Sequence, residues 1–341
     1  MSKMKENLSM STTTSTPVQY VTPEQLAGLK KLSNVRGLAS VAFTWGCIIG
    51  AWALYIWKPG VWTFLAGWMV VSGRHLALSI LMHEGAHGAI LSNRKWNDRI
   101  SQWLTAYPTM ADTVVYRMYH LQHHRYTWTK NDPDIGLARP FPITPRSFFR
   151  KMARDLTGRT AYHRYRSLLR LSAGLTPAGK GREGKSWGFI LKNLWQRQKG
   201  FFITNSLILA GLTAAGRPEV FFLLWWLPAL TGYNVVLRIR NIAEHAMIPD
   251  PSDELKQTRT TLAPFWVRFF MAPHHVNYHL EHHLYIYVPH YNLPKMHRML
   301  RENGVLERAE IAHSYIDVLR KAASAETSEF DGKARNLKAG F

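Results

Sequence analysis

Cysteine is almost missing: Cys47 is the only one in 341 residues. A disulfide framework, a thiolate iron–sulfur site and a CxxC redox pair are excluded within one chain. Any metal must be held by nitrogen and oxygen. Acidic residues are also scarce, 22 Asp+Glu against 43 Lys+Arg, leaving a formal net charge of +21. Such an excess suits nucleic acid, an anionic membrane leaflet or an acidic protein partner. Neither zinc-finger spacing nor a basic region followed by heptads is found, so nucleic acid is not expected as a partner. The opening stretch MSKMKENLSMSTTTSTPVQY lacks an apolar run and is read as a mobile polar tail, not a cleaved signal peptide. No HPGG-like haem-binding segment, flavin motif or nicotinamide motif occurs, so electrons for any redox step must come from elsewhere.

Aromatic residues are plentiful, with 13 Trp, 14 Tyr and 15 Phe. Rings with one wet end concentrate at bilayer interfaces. Ala39–Trp57 carries no charge and is long enough to cross about 30 Å of hydrocarbon as a helix. After the Lys58-Pro59-Gly60 break, Val61–Met82 is apolar apart from Arg74 and His75. A second pair, Phe201–Ala215 and Val220–Leu237, flanks Gly216-Arg217-Pro218-Glu219. The pattern predicts an all-α integral membrane fold of four transmembrane helices in two hairpins, spanning about 39–57, 61–82, 201–215 and 220–237.

The loops inside the hairpins carry only Lys58 and Arg217 as cations. The positive-inside rule therefore puts both termini and the regions 83–200 and 238–310 on the cytoplasmic side, as a helical cap. Pro140–Arg170 interleaves aromatic and basic residues and reads as helices lying on headgroups. Leu171–Lys185, rich in Gly and Pro, reads as a loop. The expected organisation is a flexible cytoplasmic N-terminal tail (1–38), a membrane domain (39–310) and a C-terminal tail (311–341).

Three histidine windows stand out: His83-Glu84-Gly85-Ala86-His87, His120-Leu121-Gln122-His123-His124 and His279-Leu280-Glu281-His282-His283. On a helix, positions i, i+3 and i+4 share a face, so each window points two or three imidazoles one way. Eight of the chain's 16 histidines lie in these windows. Eight imidazoles exceed the coordination number of one ion, which argues for two. Imidazole suits Zn, Cu, Fe and Ni, so ligand type alone does not choose the metal. His83-Glu84-x-x-His87 is also the HExxH pattern of zinc metallopeptidases, with Glu84 as general base. That reading leaves both HxxHH windows unexplained.

The order HxxxH, HxxHH, HxxHH, with a second hairpin before the third box, resembles the membrane fatty-acid desaturase superfamily. The sequels agree: His123-His124-Arg125-Tyr126-Thr127 followed by Asn131-Asp132-Pro133-Asp134, and His282-His283-Leu284-Tyr285 followed by Val288-Pro289 and Leu293-Pro294. The likeness covers roughly Ala39 to Leu300. It implies two Fe ions held by His83, His87, His120, His123, His124, His279, His282 and His283, with O2 as co-substrate. It also implies a ninth ligand, His245 of Asn241-Ile242-Ala243-Glu244-His245, and a weaker one, Asn241, through water. Three residues intervene in the first box, as in desaturases acting on membrane lipids; acyl-CoA desaturases carry four.

Glu84, Glu244, Glu281, Asp132 and Asp134 are candidates for orienting ligand imidazoles through the other ring nitrogen. His274 and His275 are read as loop or supporting residues. His75, an ionisable residue within a span, is a functional candidate. His163, His290, His297 and His313 are read as surface residues. The expected activity is desaturation of a fatty-acyl chain of a membrane lipid, with hydroxylation or ketolation of a lipid or carotenoid as the alternative. An external ferredoxin or cytochrome b5-like donor is the expected electron source.

Overall fold

The computed structural model describes residues 20–177, 179 and 181–326. Helices α1 (Pro23–Lys30), α2 (Asn34–Trp57) and α3 (Val61–His87) come first, followed by α4 (Arg94–Ser101) and α5 (Thr113–Tyr126). The short α6 (Ile135–Ala138), α7 (Pro145–Leu156) and α8 (Arg159–Ser172) lead to the long α9 (Trp187–Ala214). A final long helix, α10 (Glu219–His245), precedes α11 (Phe265–Phe270), α12 (His279–Leu284), α13 (Leu293–Glu302) and α14 (Tyr315–Ala322). The strands β1 (Thr260–Thr261) and β2 (Ile311–Ala312) pair in parallel.

Among the described residues, three helices are long and apolar enough to cross a membrane: α2, α3 and α10. The segment expected as a third span is the second half of α9, which begins at Trp187 and carries Lys192, Arg197 and Lys199 in its first half. Long as it is, α9 is made less apolar than the other three by those cations. Ile48, Val71, Leu78, Leu212, Val220 and Leu224 form the core shared by the four long helices.

Two π-helical turns shape this bundle, at Gln102–Ala106 and at Phe222–Trp226 within α10. Each is followed by a proline, Pro108 and Pro228, whose missing N–H leaves the carbonyl four residues earlier in need of a donor in an apolar setting. Indoles from α2 supply the donors. Trp45 Nε1 donates to Leu104 O at 2.9 Å, and Trp52 Nε1 donates to Leu224 O at 2.9 Å. The Trp225 carbonyl is met by His75 Nε2 at 3.0 Å. His75 is thereby accounted for as a structural donor, 2% exposed, and it does not reach the histidine boxes.

Several boundaries differ from expectation. Of the expected N-terminal tail, residues 1–19 lie outside the described residues, but 20–38 are folded. Leu29 is buried with Val288, Leu293 and Met296, and Ser33 N–H donates to Tyr291 Oη at 2.7 Å. Residues 311–326 were also expected as tail. Instead Tyr315, Val318 and Ala322 are buried against α10 and the 141–148 segment, and Ile143 N–H donates to Ala322 O at 2.9 Å. In both cases apolar residues at helical spacing, short enough to look incidental in the sequence, find a partner surface far along the chain.

Candidate metal centre

The first box is the last turn and a half of α3. Its i, i+4 spacing puts His83 and His87 on one face, while Gly85 faces α4. A Cβ on Gly85 would strike the Ser101 side chain, so glycine is what lets α4 lie against the box. Gly88, at φ 76°, ends the helix in the left-handed region. Arg117 of α5 then binds the carbonyls at this end, donating to Ala86 O at 2.7 Å and Gly85 O at 3.2 Å while pairing with Asp98 at 2.6 Å. This clamp fixes α5 across the end of α3. Asp112 starts α5 by accepting the Val114 and Val115 N–H groups at 2.8 and 3.0 Å.

From this frame nine imidazoles converge in two groups. His83, His87, His120, His124 and His282 have ligand atoms within 4.8 Å of one another, as do His123, His245 and His283. His279 joins the second group, its Nε2 lying 2.8 Å from His245 Nε2. In the first, His124 Nε2 lies 2.9 Å from His120 Nε2 and 3.0 Å from His282 Nε2. His245 ends α10, so a single helix runs from the apolar bundle into the cluster. Asn241, one turn earlier, lines a small cleft with His120, His123, His245 and His279, and its amide oxygen is 3.4 Å from Arg240 Nη1.

The donor set fits metal ions. His83 Nε2, both ring nitrogens of His87, and His283 Nε2 are buried without a hydrogen-bond partner among the described residues. Each such orphan costs about 1–3 kcal/mol unless something satisfies it. Burial, reinforced by the neighbouring imidazoles, pushes His120, His279, His282 and His283 well below the ordinary histidine value. Neutral rings keep the lone pairs a metal requires.

The surrounding acids divide by what they touch. Asp132 meets His123 Nδ1 at 2.8 Å, and burial, which alone would raise its carboxyl, is outweighed by that contact and by the Trp128 and Asp134 N–H groups. Glu84 lies 3.3 Å from His83 Nδ1 and accepts the His290 N–H at 2.9 Å. Asp134 binds the Tyr119 hydroxyl and stays 3.9 Å from His123. Glu281, expected to orient a ligand ring, instead turns away from the clusters. It accepts from the Thr260 hydroxyl and sits 2.5 Å from His297 Nδ1. At 0% exposure, it has its needs met by residues behind the box.

Two histidines expected at the surface are buried. His290 is 5% exposed, with Nε2 3.1 Å from Ser40 Oγ, and His297 is 9% exposed against Glu281. Both stand singly in the sequence, and only the Val288-Pro289 and Leu293-Pro294 context near the third box hints at enclosure. His163 and His313 are exposed. His274 Nε2 lies 2.9 Å from Thr44 Oγ1, in the loop leading to the third box.

Comparison with known proteins gives a consistent set. Residues 59–315 match the family model described as fatty acid desaturase. The chain is similar to dihydrorhizobitoxine desaturase of Bradyrhizobium elkanii, at 27% identity over 316 residues, covering 89% of this chain and 86% of that protein. It is also similar to sn-1 oleoyl-lipid 12-desaturase of Picosynechococcus sp. (strain ATCC 27264 / PCC 7002 / PR-6), at 22% identity over 301 residues, covering 80% and 79% respectively.

Proposed function

This chain belongs to the fatty acid desaturase family, and from that premise we propose that it is an O2-dependent di-iron membrane oxidoreductase that desaturates a fatty-acyl chain of a membrane lipid. The observation that carries the reading is the meeting of nine imidazoles, from four separate stretches of chain, in two adjacent groups. His83, His87, His120, His124 and His282 would hold one iron; His123, His245, His279 and His283 would hold the other, with Asn241 beside them as a weaker ligand through water.

Bound iron would supply, from O2 and two external electrons, an oxidant strong enough for an unactivated C–H bond, which redox-inert zinc cannot provide. Per turnover a CH2–CH2 pair, O2, two electrons and two protons give a CH=CH pair and two waters. The protein's own part is positioning. A small, partly polar cleft bordered by Tyr116, Leu137 and Ala138 and by Asp134, Arg240 and Asn241 touches His120 from one group and His123, His245 and His279 from the other. A methylene pair must come within reach of both groups, and its placement fixes which bond is oxidised.

In this reading α9 is the fourth span, and the boxes and both termini face the cytoplasm, as the charge asymmetry favours. An acidic ferredoxin or cytochrome b5-like donor docks on the basic cytoplasmic face. Turnover should therefore fall steeply as salt rises to about 0.5 M, and an unchanged rate would remove the docking idea. The zinc-peptidase reading of His83-Glu84-x-x-His87 is disfavoured by the site. A catalytic zinc uses three protein ligands, whereas these two histidines belong to a group of five, and the Glu84 carboxylate is engaged by His83 and His290.

Two measurements test the proposal. Metal analysis of purified protein should return iron, about two per chain; a single zinc would refute it. Mass spectrometry of host lipids after expression with a donor should show loss of two hydrogens. Gain of one oxygen would instead mean hydroxylation. The relatives are named for different substrates, an oleoyl lipid and dihydrorhizobitoxine, so both substrate types belong in the assay.

A further inference from the structure

Three of the carboxylates around the clusters have roles outside them. Asp132 and Glu84 approach the Nδ1 atoms of His123 and His83, and for His83 the unpartnered nitrogen is Nε2. Glu281 serves Thr260 and His297. Glu244 is different. It is 1% exposed, and its Oε1 accepts from Arg240 Nε at 2.6 Å, but its buried Oε2 has no hydrogen-bond partner among the described residues. That oxygen lies 3.5 Å from His279 Nε2. The same nitrogen, not Nδ1, meets His245 Nε2. Glu244 thus reaches the imidazole from the side on which the second group converges, where an orienting residue would not be. Ligand atoms of Glu244, His245 and His279 lie within 4.8 Å of one another. On α10, Asn241, Glu244 and His245 stand at i, i+3 and i+4 and share one face.

We propose that Glu244 is an oxygen ligand of the second metal site, so that one ion has a carboxylate while the other has imidazoles alone. The inference rests on the reading that the two groups hold iron. Neutral imidazoles bring no charge to two divalent ions in a buried site, whereas a carboxylate does, and it also offsets the Arg240 cation beside them. Arg240 holds Oε1, which leaves Oε2 as the single donor atom. The two ions are then chemically unequal, the carboxylate-bound one favouring the higher oxidation state because oxygen is the harder donor.

The test uses the full chain in detergent, loaded with 57Fe and examined by Mössbauer spectroscopy together with iron stoichiometry. Glu244→Gln removes the anion. A second variant, Arg240→Gln with Glu244→Gln, avoids stranding the buried guanidinium if the single change folds poorly. In either variant the doublet of one iron should move, or that iron alone should be lost, with the other doublet unchanged. Spectra matching wild type would overturn the assignment. So would simultaneous loss of both irons, or a shift no larger than in Asp132→Asn, which acts through the far nitrogen of His123. Wild-type protein that takes up no iron would instead refute the reading beneath it.

Discussion

Asp132→Asn isolates the contribution of a support that touches no other ligand. Asp132 Oδ1 accepts from His123 Nδ1 at 2.8 Å and from the Asp134 N–H at 2.8 Å, while Oδ2 accepts the Trp128 N–H at 2.9 Å. The carboxyl is held below the usual range, so it is anionic at neutral pH. Asparagine keeps the shape but offers one acceptor atom. Its best orientation leaves oxygen toward His123 and Asp134 and sets NH2 against the Trp128 N–H. One buried bond is lost, costing about 1–3 kcal/mol of fold stability. His123 also loses its anionic partner and becomes a weaker base. Outer partners of this kind contribute 10–100-fold in metal affinity, or about 1.4–2.7 kcal/mol. Chelator-competition titration of the solubilised protein measures the affinity term, and thermal unfolding of metal-free protein measures the other. Asp134→Asn, 3.9 Å from His123, is the control and should change affinity far less. Wild-type affinity in Asp132→Asn, or equal loss in both variants, would refute the assignment of Asp132 as the group that orients His123.

Further outcomes can be stated. His282→Ala should abolish turnover and lower bound iron, while His313→Ala, exposed and remote from the clusters, should do neither; full activity in His282→Ala would remove it from the site. Trp52→Phe strips the Leu224 carbonyl of its donor, so the thermal midpoint should drop by the equivalent of about 1–3 kcal/mol without iron loss; an unchanged midpoint would refute the π-turn argument. Metal-free protein should be acid-labile. His120, His124, His279, His282 and His283 are held below the ordinary histidine value, mainly by burial. As pH falls below about 6.5 the unfolded chain binds protons that the folded chain does not. Stability is then lost at roughly 1.4 kcal/mol per histidine per pH unit. A midpoint that stays flat between pH 7 and 5 would contradict this.

The parts of this protein legible in its sequence are those encoded locally. Long, mostly apolar runs give α2 and α3, and imidazoles at i, i+3 and i+4 give the boxes a common facing. What escaped depends on distant partners. Nothing next to His290 or His297 announces that Ser40 and Glu281 will enclose them. The direction of Glu281 is set by Thr260 and His297, so its place inside a box misleads. Pro228 marks an irregularity in α10 but not the π turn it takes, and His75 looks functional until the carbonyl it satisfies is seen. The segments 20–33 and 311–326 read as tails because each buries only a few apolar residues, against surfaces made elsewhere in the chain.

The contacts of residues 20–33 carry a consequence for biosynthesis. Tyr20 N–H donates to Tyr285 Oη, 265 positions later, and Leu29 O accepts from Asn292 Nδ2, 263 positions later. At about 5–20 residues per second, the ribosome makes the first half of this clasp roughly 13–53 s before the second. The third box is emerging in the same interval. Early-made segments must wait, undocked, for late-made ones, and the histidine cluster closes only after the third box has been made.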